Sequence, residues 1–295
     1  MPRRNVGHFK GEQARTHYQS IYDAAMAGLP AGEPTDVPTS FGTVRAYRFD
    51  GASAGPPVML LPGRNASTPM WRVNIPALLE HRSVIGIDLL GEAGMSVQDK
   101  PITGPDDEAQ WLDDTLAGLG LDRVHLMGVS IGGWTAVNYA VRRPGRASSL
   151  ALLDPVFTFA PVPLKAMVIS AGMFLPLPDK LQGKVFSWIA GGADVDASES
   201  ETALISAGST DYALHKAMPK LFTDEQLRSL DIPVLALIAG RSVMLDAARA
   251  AARARDLVPR GQVELWADAS HAINGEYPAE IAETAAAFWN KVDGT

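Results

Sequence analysis

The chain contains no cysteine. That excludes disulfides, thiolate catalysis and cysteine-ligated metal sites. Long apolar runs are missing too. The longest candidate, Ala166–Leu177, is too short for a membrane span and contains glycine and proline. The first ten residues, Met1–Lys10, include arginines but no apolar stretch of the signal-peptide kind. Basic residues are outnumbered, with 26 lysines and arginines against 33 aspartates and glutamates, giving a formal charge of −7. Such a balance leaves no electrostatic footprint for nucleic acid or an anionic membrane. Neither repeats nor low-complexity segments occur, and the chain has no P-loop, G-x-G-x-x-G or His-Glu-x-x-His pattern. An acidic patch, Asp194, Asp196, Glu199 and Glu201, lacks calcium-loop spacing and reads as a solvated turn. No metal and no cofactor are implied. The expectation is a soluble, cytoplasmic protein whose partner is a small molecule.

What is present organises itself around one stretch. At 295 residues and 46% hydrophobic content the chain can bury a large core, which suits one α/β domain with an insertion. A short apolar run from Val124 ends in Gly128-x-Ser130-x-Gly132, and an apolar segment of helical length follows to Arg142-Arg143, stopped by Pro144. A strand, a tight turn and a helix in that order form the context of a nucleophile elbow. Side chains larger than glycine would clash at Gly128 and Gly132 in so sharp a turn. The N–H of Ile131 stands at a helix N-terminus, where amides lack partners and favour negative charge.

The rest of the chain fits around that turn. Tyr18, Ile21, Tyr22, Ala25 and Met26 form a stripe that predicts a helix from Glu12 to Ala27, packed on the body ahead of a sheet that starts at Thr43. Strands are expected at Thr43–Phe49, Pro57–Leu61, Ser83–Asp88, Ser149–Leu153, Pro233–Ala239 and Gln262–Trp266. Asp88 reads as a structural residue and Asp246 as a helix cap. Between Asp154 and Pro233 lies far more chain than the dozen or so residues that a parallel crossover needs. The surplus predicts an inserted lid. Its first half holds Phe157, Phe159, Met167, Met173 and Phe174, large apolar side chains that suit either an acyl pocket or the lid's own core.

The Gly128-x-Ser130-x-Gly132 elbow, the entry strand Phe41-Gly42-Thr43-Val44 and the segment Phe222-Thr223-Asp224-Glu225 resemble the α/β-hydrolase family, and within it single-domain carboxylesterases. The likeness covers residues 43–295. It implies an α/β-hydrolase fold, a mostly parallel central sheet flanked by helices, with an inserted lid. The implied parts are an N-terminal helical extension (1–42), a core (43–154 and 233–295) and a lid or cap insertion (155–232). It further implies that the N–H of Arg64, after Pro62-Gly63, completes an oxyanion hole with Ile131, although Pro62 stands where relatives carry histidine. The Arg64 side chain is expected to meet an acidic substrate group or to point to solvent. Trp71, Phe157, Phe159 and Met167 are the candidate substrate contacts.

The base is His271, after the last strand and downstream of Ser130, as the family's chain order implies. A neutral imidazole takes the serine proton and returns it to the leaving group. The acid is left open. Relatives place it two or three residues after the glycine that ends the Pro233–Gly240 strand, where this chain has Ser242 and Val243. Asp154, at the end of the preceding strand, is the preferred candidate, and Asp246 or no acid at all are the alternatives. The function implied is a serine hydrolase that cleaves a carboxylic ester or similar acyl substrate through an acyl-enzyme. Without an acid the fold would instead bind a small molecule without turnover, or carry out acyl transfer, cyclisation or lyase chemistry.

Overall fold

The computed structural model describes residues 5–52, 55–172, 179–192 and 200–294. Met173, Phe174, Asp194, Asp196 and Glu199 lie outside the described residues. In chain order the strands are His8–Phe9 (β1), Glu33–Thr39 (β2), Gly42–Phe49 (β3), Val58–Leu61 (β4), Val84–Ile87 (β5), Val97–Gln98 (β6), Val124–Val129 (β7), Ala147–Leu153 (β8), Tyr212–Ala213 (β9), Val234–Ala239 (β10) and Gly261–Trp266 (β11). The helices are Glu12–Met26 (α1), Ile75–Leu79 (α2), Pro105–Gly118 (α3), Ile131–Arg142 (α4), Leu164–Ala171 (α5), Asp179–Ile189 (α6), Ser200–Asp211 (α7), Asp224–Arg228 (α8), Ala247–Leu257 (α9), Ile273–Glu276 (α10) and Pro278–Asp293 (α11).

One sheet runs β11-β10-β8-β7-β4-β5-β3-β2, with β6 pairing on β3. From β11 to β5 every neighbouring pair is parallel, and β3 joins β5, β2 and β6 antiparallel. Helices cover both faces, so the central strands are buried on both sides and apolar over most of their length rather than alternating with polar residues. Leu126, Leu150, Leu152, Ala236 and Ile238 enter one core with Trp111 of α3 and Val137 of α4. Their chain neighbours Met127, Ala151, Leu153, Leu235 and Leu237 enter the other, with Tyr18 and Tyr22 of α1 and Trp289 of α11.

The sheet starts at Glu33 rather than Thr43. The segment Glu33–Thr39 contains Pro34 and Pro38, which read against a strand, but β2 is the sheet's edge and pairs on one side with β3. Proline is tolerated at an edge, where its missing N–H faces away from the ladder. Helix α1 buries Tyr18, Tyr22 and Ala25 as its stripe predicts.

Between the parallel neighbours β8 and β10 the chain passes through α5, α6, α7, β9 and α8. The N-terminal segment holds part of this stretch: β1 pairs antiparallel with β9, and α1 packs on α7. Asp88, fully buried, accepts from the Thr68 N–H and hydroxyl, the Met95 N–H and the Tyr22 hydroxyl, all at 2.8–2.9 Å. Burial raises its carboxyl above the ordinary range while these donors hold it down. It anchors the loops after β4 and β5, a structural part.

Candidate active site

At the C-terminal end of β7 the backbone reverses into α4 through Ser130, at φ 55° and ψ −118°. The surroundings enforce this strained conformation. A Cβ on Gly128 would lie 2.4 Å from the Gly132 carbonyl carbon, and one on Gly132 would lie 2.0 Å from Leu61 O. The Ser130 N–H is tied to Leu153 O at 3.0 Å, which fixes the turn against β8. Asn65, Asp154 and Phe157 also carry positive φ, at 56°, 43° and 53°. Non-glycine residues in that region concentrate where the surrounding fold holds a site in place.

His271, in the loop after β11, bridges two strand ends. Its Nε2 is 3.0 Å from Ser130 Oγ and its Nδ1 is 2.6 Å from Asp154 Oδ2. A carboxylate only accepts, so Nδ1 carries the proton and Nε2 is left to accept from the serine. Asp154 is fully buried at the end of β8. Its Oδ1 accepts from the Ala239 N–H at 3.1 Å and its Oδ2 from the Ser242 hydroxyl at 2.6 Å. Ser242, at the position where the resemblance places the acid, thus donates to the carboxylate that the imidazole meets. Asp246 is turned elsewhere, capping α9 through the Arg249 N–H at 3.0 Å. A carboxylate therefore stands within reach of His271, and the premise of an acid-free site does not hold.

Two supports of this group went unseen in the sequence. Ser242 is one. Glu276 is the other: its carboxylate accepts from the Ser270 N–H at 2.8 Å and hydroxyl at 2.6 Å, and that hydroxyl accepts in turn from the Ala272 N–H at 3.1 Å. The residues on either side of His271 are clasped in this way. Short polar contacts of this kind have no sequence pattern that would reveal them.

Ser130 and His271 lie in a cavity of about 750 Å³ together with Gly63, Arg64 and Ile131. Val156, Phe157, Val162, Met167, Phe186 and Met244 give it an apolar wall. Phe157 and Met167 are where the sequence places them. Trp71 and Phe159 are not: both are fully buried in core clusters and neither lines the cavity. Trp71 ends a short 3-10 turn, Thr68–Trp71, that packs under α1. Phe159 is diverted because Thr158 folds back on Val156 O, and Arg253 grips the Thr158 and Phe159 carbonyls at 3.3 Å. Arg64 lines the cavity with its side chain one quarter exposed, and its guanidinium pairs with the buried carboxylate of Glu92 at 2.6 Å. Glu92 also accepts from the Asn65 N–H at 3.1 Å, so it holds the loop that carries the Arg64 amide.

A second Ser-His-Asp constellation lies at the other end of β7. His125 is 2.8 Å from Ser149 Oγ and 3.2 Å from Asp293 Oδ2. His125 and Ser149 are sealed from solvent, and burial, opposed by the Asp293 carboxylate, pushes the imidazole down to about 4. Sealed from solvent, this histidine and serine cannot meet a substrate, so the group is a structural tie.

Comparison with known proteins agrees with the architecture. The alpha/beta hydrolase fold family matches residues 56–193. An uncharacterised carboxylesterase, nap, of Bacillus subtilis is 27% identical, with 94% of this chain and 93% of that protein aligned. Carboxylesterase YbfK of the same organism is 26% identical over 95% of this chain and 96% of its own length. The crystal structure of naproxen esterase (carboxylesterase NP) from Bacillus subtilis superposes with a TM-score of 0.87 at 26% identity, covering 95% of this chain and all of that one. The elbow, the sheet order and these likenesses along nearly the whole chain together show an α/β-hydrolase fold and a carboxylesterase-like protein.

Proposed function

We propose that the protein is a serine hydrolase that cleaves a carboxylic ester of a small molecule through an acyl-enzyme. The carrying observation is the unbroken hydrogen-bond chain from Ser130 through His271 to Asp154 at the wall of an apolar cavity. Carboxylesterase relatives along nearly the whole chain support the same reading. Ser130 Oγ attacks the ester carbonyl while His271 Nε2 takes its proton. The N–H groups of Ile131 and Arg64 stabilise the oxyanion. Ile131 opens α4, so its amide has no acceptor one turn back and points, with the helix dipole, at the developing charge. The imidazolium then protonates the departing alkoxide, and Asp154 holds the ring and its charge throughout. Water, deprotonated by His271, attacks the acyl-enzyme and returns Ser130.

The segment between β8 and β10 acts in this reading as a lid, with Phe157 and Met167 holding the apolar part of the substrate. The proposed compartment is the cytoplasm, on composition alone: a cysteine-free, acidic chain asks for no oxidising environment and no anionic surface. The test is hydrolysis of short p-nitrophenyl esters by the wild type, lost in Ser130→Ala with the circular dichroism spectrum unchanged. A Ser130→Ala protein that hydrolyses them at the wild-type rate contradicts the reading.

A further inference from the structure

The charged side chains around the cavity follow a pattern that bears on which esters it admits. Among the described residues Arg64, Arg72 and Lys216 line it as cations, beside the histidine of the site. Each is matched by a carboxylate: Arg64 by Glu92 at 2.6 Å, Arg72 by Glu201 at 3.3 Å and Lys216 by Glu108 at 2.8 Å. One further carboxylate, Glu276, lines the cavity and takes only the neutral donors of Ser270. Among the described residues the wall therefore presents no uncompensated positive charge.

The pairs differ in accessibility. Lys216 and Glu108 are nearly sealed, and Arg64, 25% exposed, pairs with a sealed Glu92. Both members of the third pair, Arg72 at 39% and Glu201 at 25%, are accessible and line the cavity. Arg72 is held from behind, its stem packing where a Cβ on Gly28 would lie 2.9 Å away. Glu201 sits in the first turn of α7, where the helix dipole favours a carboxylate. A substrate carboxylate entering here would have to displace Glu201 from Arg72 and would face Glu276 as well. Selectivity is then set by a charge already neutralised, a repulsive device against the wrong substrate rather than an attraction to the right one.

We infer that the cavity selects esters whose acyl and alcohol parts are uncharged, and that the Arg72–Glu201 pair is the specificity determinant. The inference rests on the esterase reading of Ser130. Removing one partner should reverse the preference by charge sign, which mere apolarity of the pocket would not do. The probes are p-nitrophenyl caproate, its ω-carboxylate analogue and its ω-trimethylammonium analogue.

Relative to the neutral ester, Glu201→Gln should raise kcat/KM for the anionic analogue by at least about tenfold without helping the cationic one. Arg72→Gln should do the opposite, and the double variant should return both ratios towards the wild type. The exposed control Glu80→Gln should leave both ratios where they are. Ratios that stay within about twofold in Glu201→Gln and in Arg72→Gln overturn the proposal. Binding of the corresponding methyl esters to Ser130→Ala, read by calorimetry, gives the same comparison without turnover. A wild type inert towards every ester contradicts the esterase reading, while the binding ratios still decide the charge rule.

Discussion

Ser242 Oγ and His271 Nδ1 both stand 2.6 Å from the same oxygen of Asp154. One carboxylate oxygen thus receives two donors, one from the loop after β10 and one from the loop after β11. The carboxylate comes from the end of β8, the strand beside β10, so Asp154 and residue 242 stand at adjacent strand ends. In the proposed mechanism the acid comes from β8.

Replacing Asp154 by asparagine keeps the size of the side chain but offers His271 Nδ1 a partner that can also donate, permitting the wrong tautomer. We expect kcat to fall by up to roughly ten-thousandfold with little change in KM, as for the same change in a serine protease. Asp246→Asn should leave the rate intact and weaken the start of α9 by about 1 kcal/mol or less. Steady-state kinetics of the two variants make the check; an essential Asp246 beside a silent Asp154 reverses the assignment.

Ser242→Ala removes a charge-assisted hydrogen bond to a buried carboxylate. Such bonds contribute about 1.5–3 kcal/mol, so a drop in kcat/KM of roughly tenfold or more is expected. Ser242→Thr, which keeps the hydroxyl, should retain most of the rate. Equal rates in Ser242→Ala and the wild type would show that the hydroxyl does not hold Asp154 in place.

Phe157 and Phe159 are two residues apart and should separate cleanly. Phe159→Ala empties a sealed core site and should cost about 3–5 kcal/mol with the acyl-length preference unchanged. Phe157→Ala and Met167→Ala enlarge the cavity wall and should shift the preference towards longer acyl chains. Denaturant melts and a p-nitrophenyl ester series read the two effects separately.

The tie at His125 predicts a pH dependence of stability that is independent of catalysis. Burial lowers the imidazole to about 4 in the folded chain, against an unfolded value near 6.5. The unfolded state therefore binds the extra proton first. The contribution is present above pH 6.5 and is lost as pH falls towards 4, by up to about 3 kcal/mol. Urea midpoints measured between pH 7.5 and 4.5 should drop in the wild type and much less in His125→Gln. Parallel curves would show that another group carries the effect.

How much of this could be read beforehand depended on how local the signal was. Ser130 announces itself through two glycines within two residues of it, and His271 through its place after the last apolar strand. Asp154 stayed one of three alternatives because its role depends on β8 and β10 being neighbours, a tertiary fact. Strand β2 was hidden by Pro34 and Pro38, whose usual meaning fails at a sheet edge. Trp71 and Phe159 could not be told from pocket residues, since composition does not reveal which way a loop turns its side chains. Arg64 looked free because Glu92, its partner, lies in a loop after a different strand.

The central claim is that Ser130 is a nucleophile activated by His271 and Asp154. Its most direct test is intact-protein and peptide mass spectrometry after exposure to a fluorophosphonate. The account predicts one adduct per chain, located on Ser130, formed rapidly by the wild type, far more slowly by His271→Ala and Asp154→Asn, and not at all by Ser130→Ala. A wild type that stays unlabelled while its cavity still binds an uncharged ester, or a label found on another residue, would contradict it.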